Sequence, residues 1–269
     1  GTITTITNAG TIKSTGTAGA TIKNYDATID TIENTGIIST TNTSDSSSGK
    51  AIISRNGGVI NTINNSGEIS AIHGNGVIYL NATGSIGTIT NSGDITGNDS
   101  NAGIKNEGTI TTINNSGNIT DSTNADGIKN ILGATITTIN NTGTITGADL
   151  DIDNANDAGA SGTITTLINS QGGSDALTYG YKLPTNYKVV VNSDTDYGKV
   201  VFSNESSTTT FDVDSSSTYS GSTAKTYTDV ISGITESDIE SCTSDTDCAN
   251  NNDSGVLNGH YRYFWKLDD

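Results

Sequence analysis

The sequence predicts an all-β protein: a right-handed parallel β-helix (solenoid) of about 26 residues per coil, capped by a C-terminal antiparallel β segment. Three observations support this prediction. Only 31% of the residues are hydrophobic and 5% aromatic, which is too few for a large globular core. The apolar residues are mostly Ile and Val, which favour strands. One Ile-rich segment recurs seven times, so stacked coils bury what a single coil cannot.

The repeat is clearest in GTITTINNSG, residues 108–117. It places Ile110 and Ile113 three positions apart, a spacing that strict strand alternation does not give. A bend between the two isoleucines would point both of them inward. Copies of the segment begin 26, 31, 26, 24, 26 and 28 residues apart. The first isoleucines of the copies are Ile3, Ile29, Ile60, Ile86, Ile110, Ile136 and Ile164.

An asparagine follows five residues after each of these isoleucines, and a glycine comes two positions later in six copies. We expect the asparagines to stack at an inward corner as a ladder in which each amide binds the next. We expect the glycines to supply a positive φ at the same corner. The asparagines are Asn8, Asn34, Asn65, Asn91, Asn115, Asn141 and Asn169.

A weaker Ile-Lys-Asn motif lies between the copies, at residues 22–24, 104–106 and 128–130, with a looser version from Ile78 to Asn81. The leucine-rich repeat is the competing solenoid, because its period is similar and it also uses asparagine. It requires leucine and a helical return arm, whereas return arms such as TGNDSNAG consist of poor helix formers. The parallel β-helix is therefore preferred.

Insertions fall at one phase of the repeat, directly after its last isoleucine, which predicts that they share one edge of the solenoid. They span residues 39–50, 96–103, 120–127 and 146–160. Loops on a rigid scaffold often carry function, although polar loops can also merely tolerate variation. The candidate binding residues in these loops are Asp45, Lys50, Asp99, Asp121, Asp126, Asp149, Asp151 and Asp153.

The periodicity stops after Gly173, which divides the chain into β-helix repeats at 1–173 and a C-terminal β segment at 174–269. All three Phe, the one Trp and eight of the ten Tyr lie in the second part. Strand-like runs such as 187–193 and 198–203 predict an antiparallel cap that covers the open end of the solenoid. We expect this aromatic part to be the most stable and to nucleate folding.

Cys242 and Cys248 enclose five residues in an otherwise cysteine-free chain. This spacing predicts a local disulfide in an oxidising compartment, with two free thiols as the alternative. The formal net charge of −17 argues against nucleic acid and anionic lipid as partners. No stretch is long and apolar enough to cross a bilayer as a helix.

No catalytic, metal or cofactor site is predicted. Glu68 and Asp94 occupy one position in adjacent copies, near the carboxylate spacing of a retaining glycosidase, but their surroundings favour a solvated pair of acids. His73 and His260 have no second ligand nearby in sequence, so zinc is not expected. Calcium at 245–253 or in the 146–160 insertion is left open.

Taken together, the TITTINNSG copies, the run LPTNYKVVVNSDTDYGKVVFS and the terminal YRYFWKL resemble the passenger region of a type V autotransporter. The resemblance implies a fragment continuous with an outer-membrane β-barrel that would follow Asp269, and an autochaperone role for 174–269. It also implies export through the periplasm and outer membrane to the surface of a Gram-negative bacterium, or release outside it.

The function that we expect is non-enzymatic adhesion to a host-cell or matrix receptor, through the edge loops or a polar flank. Self-association between identical passengers is one alternative. A β-helical polysaccharide-active enzyme and a toxin-like passenger are two more, and direct membrane insertion by this fragment is not expected.

Overall fold

The structure is a computed structural model of the 269-residue chain. It describes residues 1–15, 19–41, 49–98, 102–123, 125–155, 161–218, 225–240, 255–257 and 261–263. These residues wind into a parallel β-solenoid in which successive strands join three sheets in turn. The predicted fold class is therefore confirmed.

The three sheets run along the solenoid and are named A, B and C in the order in which the chain enters them. Sheet A contains β1 (Thr2–Asn8), β4 (Thr28–Asn34), β7 (Val59–Asn65), β10 (Ser85–Asn91), β13 (Thr109–Asn115), β16 (Thr135–Asn141), β19 (Thr163–Asn169), β21 (Asn186–Val189) and β23 (Thr210–Val213). Sheet B contains β2 (Thr11–Ser14), β5 (Ile37–Thr40), β8 (Glu68–Ala71), β11 (Asp94–Gly97), β14 (Asn118–Asp121) and β17 (Thr144–Thr146).

Sheet C contains β3 (Ala20–Tyr25), β6 (Lys50–Arg55), β9 (Ile78–Leu80), β12 (Ala102–Asn106), β15 (Asp126–Asn130), β18 (Ile152–Asn154), β20 (Leu177–Lys182), β22 (Val200–Ser206) and β24 (Ile231–Ser232). One turn of 3-10 helix lies at Glu236–Asp238. A separate antiparallel pair joins β25 (Gly255–Leu257) to β26 (Tyr261–Tyr263).

The core is made of isoleucine columns, because equivalent positions of each repeat are direct partners in neighbouring turns. Ile86 pairs with Ile110, and Ile89 pairs with Ile113. In the middle turns both members of each Ile-x-x-Ile pair are fully buried. Burial of one such side chain is worth about 1.5–3 kcal/mol, so a stack of turns gains a core that no single turn has.

The seven repeat asparagines form a continuous ladder inside the corner between sheets A and B. Each is buried, and its Nδ2 donates to Oδ1 of the asparagine one turn on, from Asn8 to Asn34 at 2.7 Å through to Asn141 and Asn169 at 3.2 Å. The intermediate bonds are 2.7–2.9 Å long. A second ladder in sheet C joins Asn106, Asn130 and Asn154 at 2.8 and 2.9 Å.

The glycines that follow the ladder asparagines are needed for a different reason from the one expected. None of these six has a positive φ, so the corner does not require the left-handed conformation there. Instead, a Cβ on Gly93 would lie 2.1 Å from the carbonyl oxygen of Gly67 in the preceding turn. Successive turns therefore approach so closely at this corner that a side chain has no room.

The C-terminal part extends the solenoid beyond residue 173, which corrects the antiparallel pairing expected for the runs at 187–193 and 198–203. Strands β20 to β24 pair in parallel with sheets A and C. Tyr187 pairs with Leu167 and then with Phe211, while Tyr179 and Phe202 continue an isoleucine column of sheet C. Aromatic rings thus replace isoleucine in the same columns. Within the described residues, the antiparallel pairing of two named strands occurs at β25–β26.

Sheet B ends at β17, where a side chain takes over the role of the next strand. The Nε2 of Gln171 donates to the carbonyl oxygen of Ile145 at 3.1 Å, and its Oε1 accepts from the Ile145 backbone N–H at 2.8 Å. The carboxamide therefore satisfies both backbone groups of one residue at the sheet edge. This explains why the seventh copy has Gln171 in place of the usual glycine.

The close approach of turns predicts that Gly93→Ala is destabilising. The new methyl group meets a backbone carbonyl, which cannot rotate away, so we expect a loss of about 2 kcal/mol in the free energy of unfolding. Gly10→Ala is the matched control, because it changes the same motif position at the first turn, where nothing lies within 4 Å. Urea denaturation of both variants measures the difference. Equal stabilities would contradict this explanation of the glycines.

Candidate functional site

Three of the four insertions lie at one corner of the solenoid, between sheets B and C. The segments 39–50, 96–103 and 120–127 each join a strand of sheet B to a strand of sheet C, as between β14 and β15. The prediction of one shared edge is wrong for 146–160, because this segment contains β18 of sheet C and precedes β19 of sheet A. Parts of these insertions, including Asp45 and Asp99, lie outside the described residues, as do Cys242, Cys248, His260 and the segment 245–253.

Most of the described candidate binding residues turn out to be buried. Asp149 is exposed. The others are between 1% and 6% exposed, namely Lys50, Asp121, Asp126, Asp151 and Asp153. Their side chains are therefore part of the packing where the insertions rejoin the solenoid, and their burial argues against direct contact with a large partner.

Asp126, Lys129 and Asp153 form a buried cluster on sheet C. The Nζ of Lys129 lies 3.3 Å from Oδ2 of Asp126 and 2.7 Å from Oδ2 of Asp153. Oδ1 of Asp153 is buried without a hydrogen-bond partner. Burial, together with the neighbouring Asp153 carboxylate, raises the pKa of Asp126 to about 7, against the opposing attraction of Lys129. One lysine thus holds two carboxylates in a poorly solvated place.

Asp151 closes the tip of the 146–160 insertion against the next turn. Its Oδ1 accepts from the backbone N–H of Gly147 at 3.0 Å, and its Oδ2 accepts from the backbone N–H of Thr178 at 2.7 Å. Burial raises the pKa of this carboxyl group, and the hydrogen bonds to Thr178 and Gly147 oppose the rise. The residue therefore has a structural role in this turn.

A row of basic and aromatic side chains runs along the outer side of sheet C. The register aligns Lys23, Ile53, Tyr79, Lys105, Lys129 and Asp153 across six successive strands. We call Lys23, Tyr25, Lys50, Arg55, Tyr79 and Lys105 the cation–tyrosine face. Its four cations are a third of the 12 Lys and Arg residues of a chain with a net charge of −17.

Tyr79 is the centre of the cation–tyrosine face. The ammonium groups of Lys50 and Lys105 lie 5.4 and 5.8 Å from its ring centroid, within the range of cation–π attraction. Its hydroxyl donates to Oε2 of Glu107 at 2.7 Å, and Lys105 pairs with the same carboxylate at 3.2 Å. Burial and Glu107 raise the pKa of Tyr79, so the phenol stays protonated.

Tyr25 lies at one end of the face and is 52% exposed. Lys23 Nζ is 5.7 Å and Arg55 Cζ is 5.5 Å from its ring centroid. Among the described residues, neither Lys23 nor Arg55 forms an ion pair. Beside them is a groove of about 60 Å³, which we call the basic groove. It is lined by Gly19, Ala20, Lys23, Lys50, Ile53 and Arg55.

The other sequence candidates do not gather into a site. Glu68 and Asp94 are neighbours in sheet B, as predicted, but Asp94 Oδ1 accepts a hydrogen bond from Asn118 at 2.8 Å. In the described part of the chain, no group of three or more His, Cys, Asp or Glu side chains is arranged to hold a metal ion. His73 is half-buried in the loop before β9. A search of the described residues finds no helix with the length and hydropathy of a membrane span.

Sequence reasoning missed the cation–tyrosine face, although part of its signal was visible. The weak Ile-Lys-Asn motif repeats Lys23, Lys105 and Lys129 at one phase, and strand alternation places a residue between inward Ile and inward Asn on the outer side. Tyr79 and Arg55 were not recognisable as neighbours of these lysines, because insertions of different length separate the strands that carry them.

These features define the protein as a parallel β-solenoid with about seven turns of about 26 residues and a basic, tyrosine-bearing outer face. No protein-family model, curated protein or solved structure matches the chain.

The raised pKa of Asp126 predicts a pH dependence of stability. The folded chain binds the proton of Asp126 more tightly than the unfolded chain does. The stability that this protonated carboxyl group contributes is therefore complete below about pH 4 and is lost as the pH rises through about 7. Asp126→Asn removes the ionisation but keeps an acceptor for the Leu150 N–H. We therefore compare the Tm of the variant with that of wild type at each pH, and expect this difference to be more favourable to the variant by a few °C at pH 8 than at pH 5.

Differential scanning fluorimetry at the two pH values measures this effect. Asp149→Asn is the control, because the same change at an exposed carboxylate removes no buried charge. If Asp126→Asn and wild type differ by the same amount at pH 5 and pH 8, the carboxyl group does not titrate in this interval.

Proposed function

We propose that the chain is the β-solenoid passenger of a type V autotransporter and acts, without catalysis, as an adhesin at the surface of a Gram-negative bacterium. Its partner would be a receptor on a host cell or in the extracellular matrix. The single observation that carries the adhesive role is the cation–tyrosine face, where the accessible cations Lys23 and Arg55 have a charge opposite to that of the whole chain.

The stacked architecture supports the role of a stalk. Seven ladder asparagines and the isoleucine columns tie each turn to the next, and sheets A and C continue through the aromatic turns after residue 173. Nine strands at a spacing of about 4.8 Å extend over about 40 Å. Such a solenoid is stiff along its axis and presents its outer faces at fixed positions.

The distribution of charge supports a partner with anionic groups. A net charge of −17 repels anionic surfaces at long range, whereas Lys23 and Arg55 attract anions within a short distance of sheet C. An anionic partner is therefore expected to contact the solenoid through this face in preference to its other faces.

The described acids support a non-catalytic role. Asp126 and Asp153 share the ammonium group of Lys129, and Asp151 binds backbone N–H groups. In the pair Glu68 and Asp94, Oδ1 of Asp94 accepts a hydrogen bond from Asn118. These carboxylates are accounted for by the structure that they stabilise.

Binding of the fluorescently labelled chain to cultured host cells and to immobilised matrix proteins tests the proposal. We expect saturable binding that unlabelled protein competes away and that weakens between 0.15 and 0.5 M salt, because the contact is charged. The double variant Lys23→Glu/Arg55→Glu should bind about fivefold or more weakly. Lys13→Glu, which changes an exposed lysine of sheet B in the same end of the solenoid, should bind like wild type.

Absence of saturable binding to any cell or matrix protein would contradict adhesion. Concentration-dependent sedimentation of the chain without cell binding would favour self-association in its place. Equal binding by the double variant and the Lys13→Glu control would place the adhesive surface elsewhere on the solenoid.

A further inference from the structure

We propose that the basic groove binds a carboxylate-bearing sugar residue of an acidic glycan, with the carboxylate between Lys23 and Arg55 and the sugar ring on Tyr25. This inference rests on the proposed adhesive function and names the chemical class of its partner. It is carried by the geometry of strands β3 and β6, which lie side by side at the end of sheet C.

The register of these two strands puts the required groups together. Lys23 is opposite Ile53, and Tyr25 is opposite Arg55, so the two cations lie diagonally across neighbouring strands. Both cations lie within 6 Å of the Tyr25 ring centroid, and both line the groove. Two like charges that line one groove attract an anion there.

The two cations have no described carboxylate as an ion-pair partner, which distinguishes them from the rest of the row. Lys105 pairs with Glu107, and Lys129 pairs with two aspartates. The guanidinium group of Arg55 donates one hydrogen bond to a described residue, from Nε to Oδ1 of Asn56 at 3.3 Å, and so retains donors for a planar carboxylate. The positive charge at this end is therefore available to a ligand.

The size of the groove limits what enters it. A volume of about 60 Å³ leaves room for a small group such as a carboxylate and is far below the roughly 300 Å³ at which pockets that enclose a small molecule begin, so a whole sugar ring does not fit. The ring must then lie outside the groove, against the neighbouring surface. Tyr25, which is 52% exposed, provides there the part of its ring that Lys23 and Arg55 leave uncovered, and its hydroxyl accepts a hydrogen bond from Asn56 Nδ2 at 2.9 Å.

Polar side chains near Tyr25 can form hydrogen bonds with the hydroxyl groups of a sugar. The side chain of Asn56 is exposed, and Thr83 accepts the Gly57 N–H at 3.1 Å with an exposed hydroxyl group. A pyranose has an apolar face for an aromatic ring and equatorial hydroxyls for such groups. An acidic peptide or a chain of phosphates has no comparable apolar ring face.

The test measures binding of the intact chain to oligogalacturonate and to polysialic acid by biolayer interferometry at 0.15 M salt. Methyl-esterified oligogalacturonate keeps the sugar and removes the charge, while poly-L-glutamate keeps the carboxylates and removes the sugar. We expect at least one of the two acidic glycans to bind, with the neutral ester and poly-L-glutamate both weaker by about tenfold or more.

Four variants locate the binding. Lys23→Ala and Arg55→Ala should each weaken glycan binding by about tenfold, and Arg55→Lys by a smaller factor, because lysine cannot form two parallel bonds to a carboxylate. Tyr25→Ala should weaken the binding of the acidic glycan and leave the residual binding of poly-L-glutamate unchanged. Lys13→Ala is the matched control for lost positive charge and should bind like wild type. All four substituted positions are at least partly exposed, so the fold is expected to persist.

Failure to bind either acidic glycan, equal binding of poly-L-glutamate, or variants indistinguishable from Lys13→Ala would each overturn the inference. Cell binding without glycan binding would remove this inference and leave the adhesive function standing. Glycan binding without attachment to cells or matrix would contradict the adhesive function and leave the glycan site standing.

Discussion

The structure depends on the hydrogen bond between one buried asparagine amide and the same amide one turn away. A buried amide is costly unless its donors and acceptor are satisfied, and here each Nδ2 finds the next Oδ1 at 2.7–3.2 Å. The bond forms only when neighbouring turns are in register. The ladder therefore specifies register, while the isoleucine columns beside it supply most of the hydrophobic burial.

This constraint explains where the chain varies and where it cannot. At the A–B corner, the ladder and the close approach of Gly67 and Gly93 leave no room for an added atom. At the B–C and C–A corners the connections between strands differ in length, and the spacing of repeats varies from 24 to 31 residues without disturbing the pairing of the strands on either side. Variation in length is thus found at the two corners that flank sheet C, and the cation–tyrosine face lies on the outer side of the same sheet. The surfaces that can bind a partner therefore lie at these places, whereas the residues of the repeat motif hold the fold together.

Much of the repeated part of the fold was predictable from the sequence, because residues equivalent to Ile110, Ile113 and Asn115 recur at fixed offsets. The isoleucines pack in the core, and the asparagine forms the ladder. The end of the repeats was misjudged, since Tyr187 and Phe211 occupy isoleucine columns and hide the same geometry behind a different composition. The basic groove was not predictable. Tyr25 and Arg55 are partners because β3 and β6 pair in parallel in neighbouring turns, and that pairing is a tertiary property.

Replacement of one ladder asparagine tests the central claim most directly. Asn115→Ala removes the bonds to Asn91 and Asn141 and leaves their amides in a buried corner, so the free energy of unfolding should fall by about 2–4 kcal/mol. Asn114→Ala, the adjacent asparagine that is only partly buried on the outer side, should change it by less than about 1 kcal/mol. Similar losses in the two variants, measured by urea denaturation, would show that the ladder does not hold the turns together.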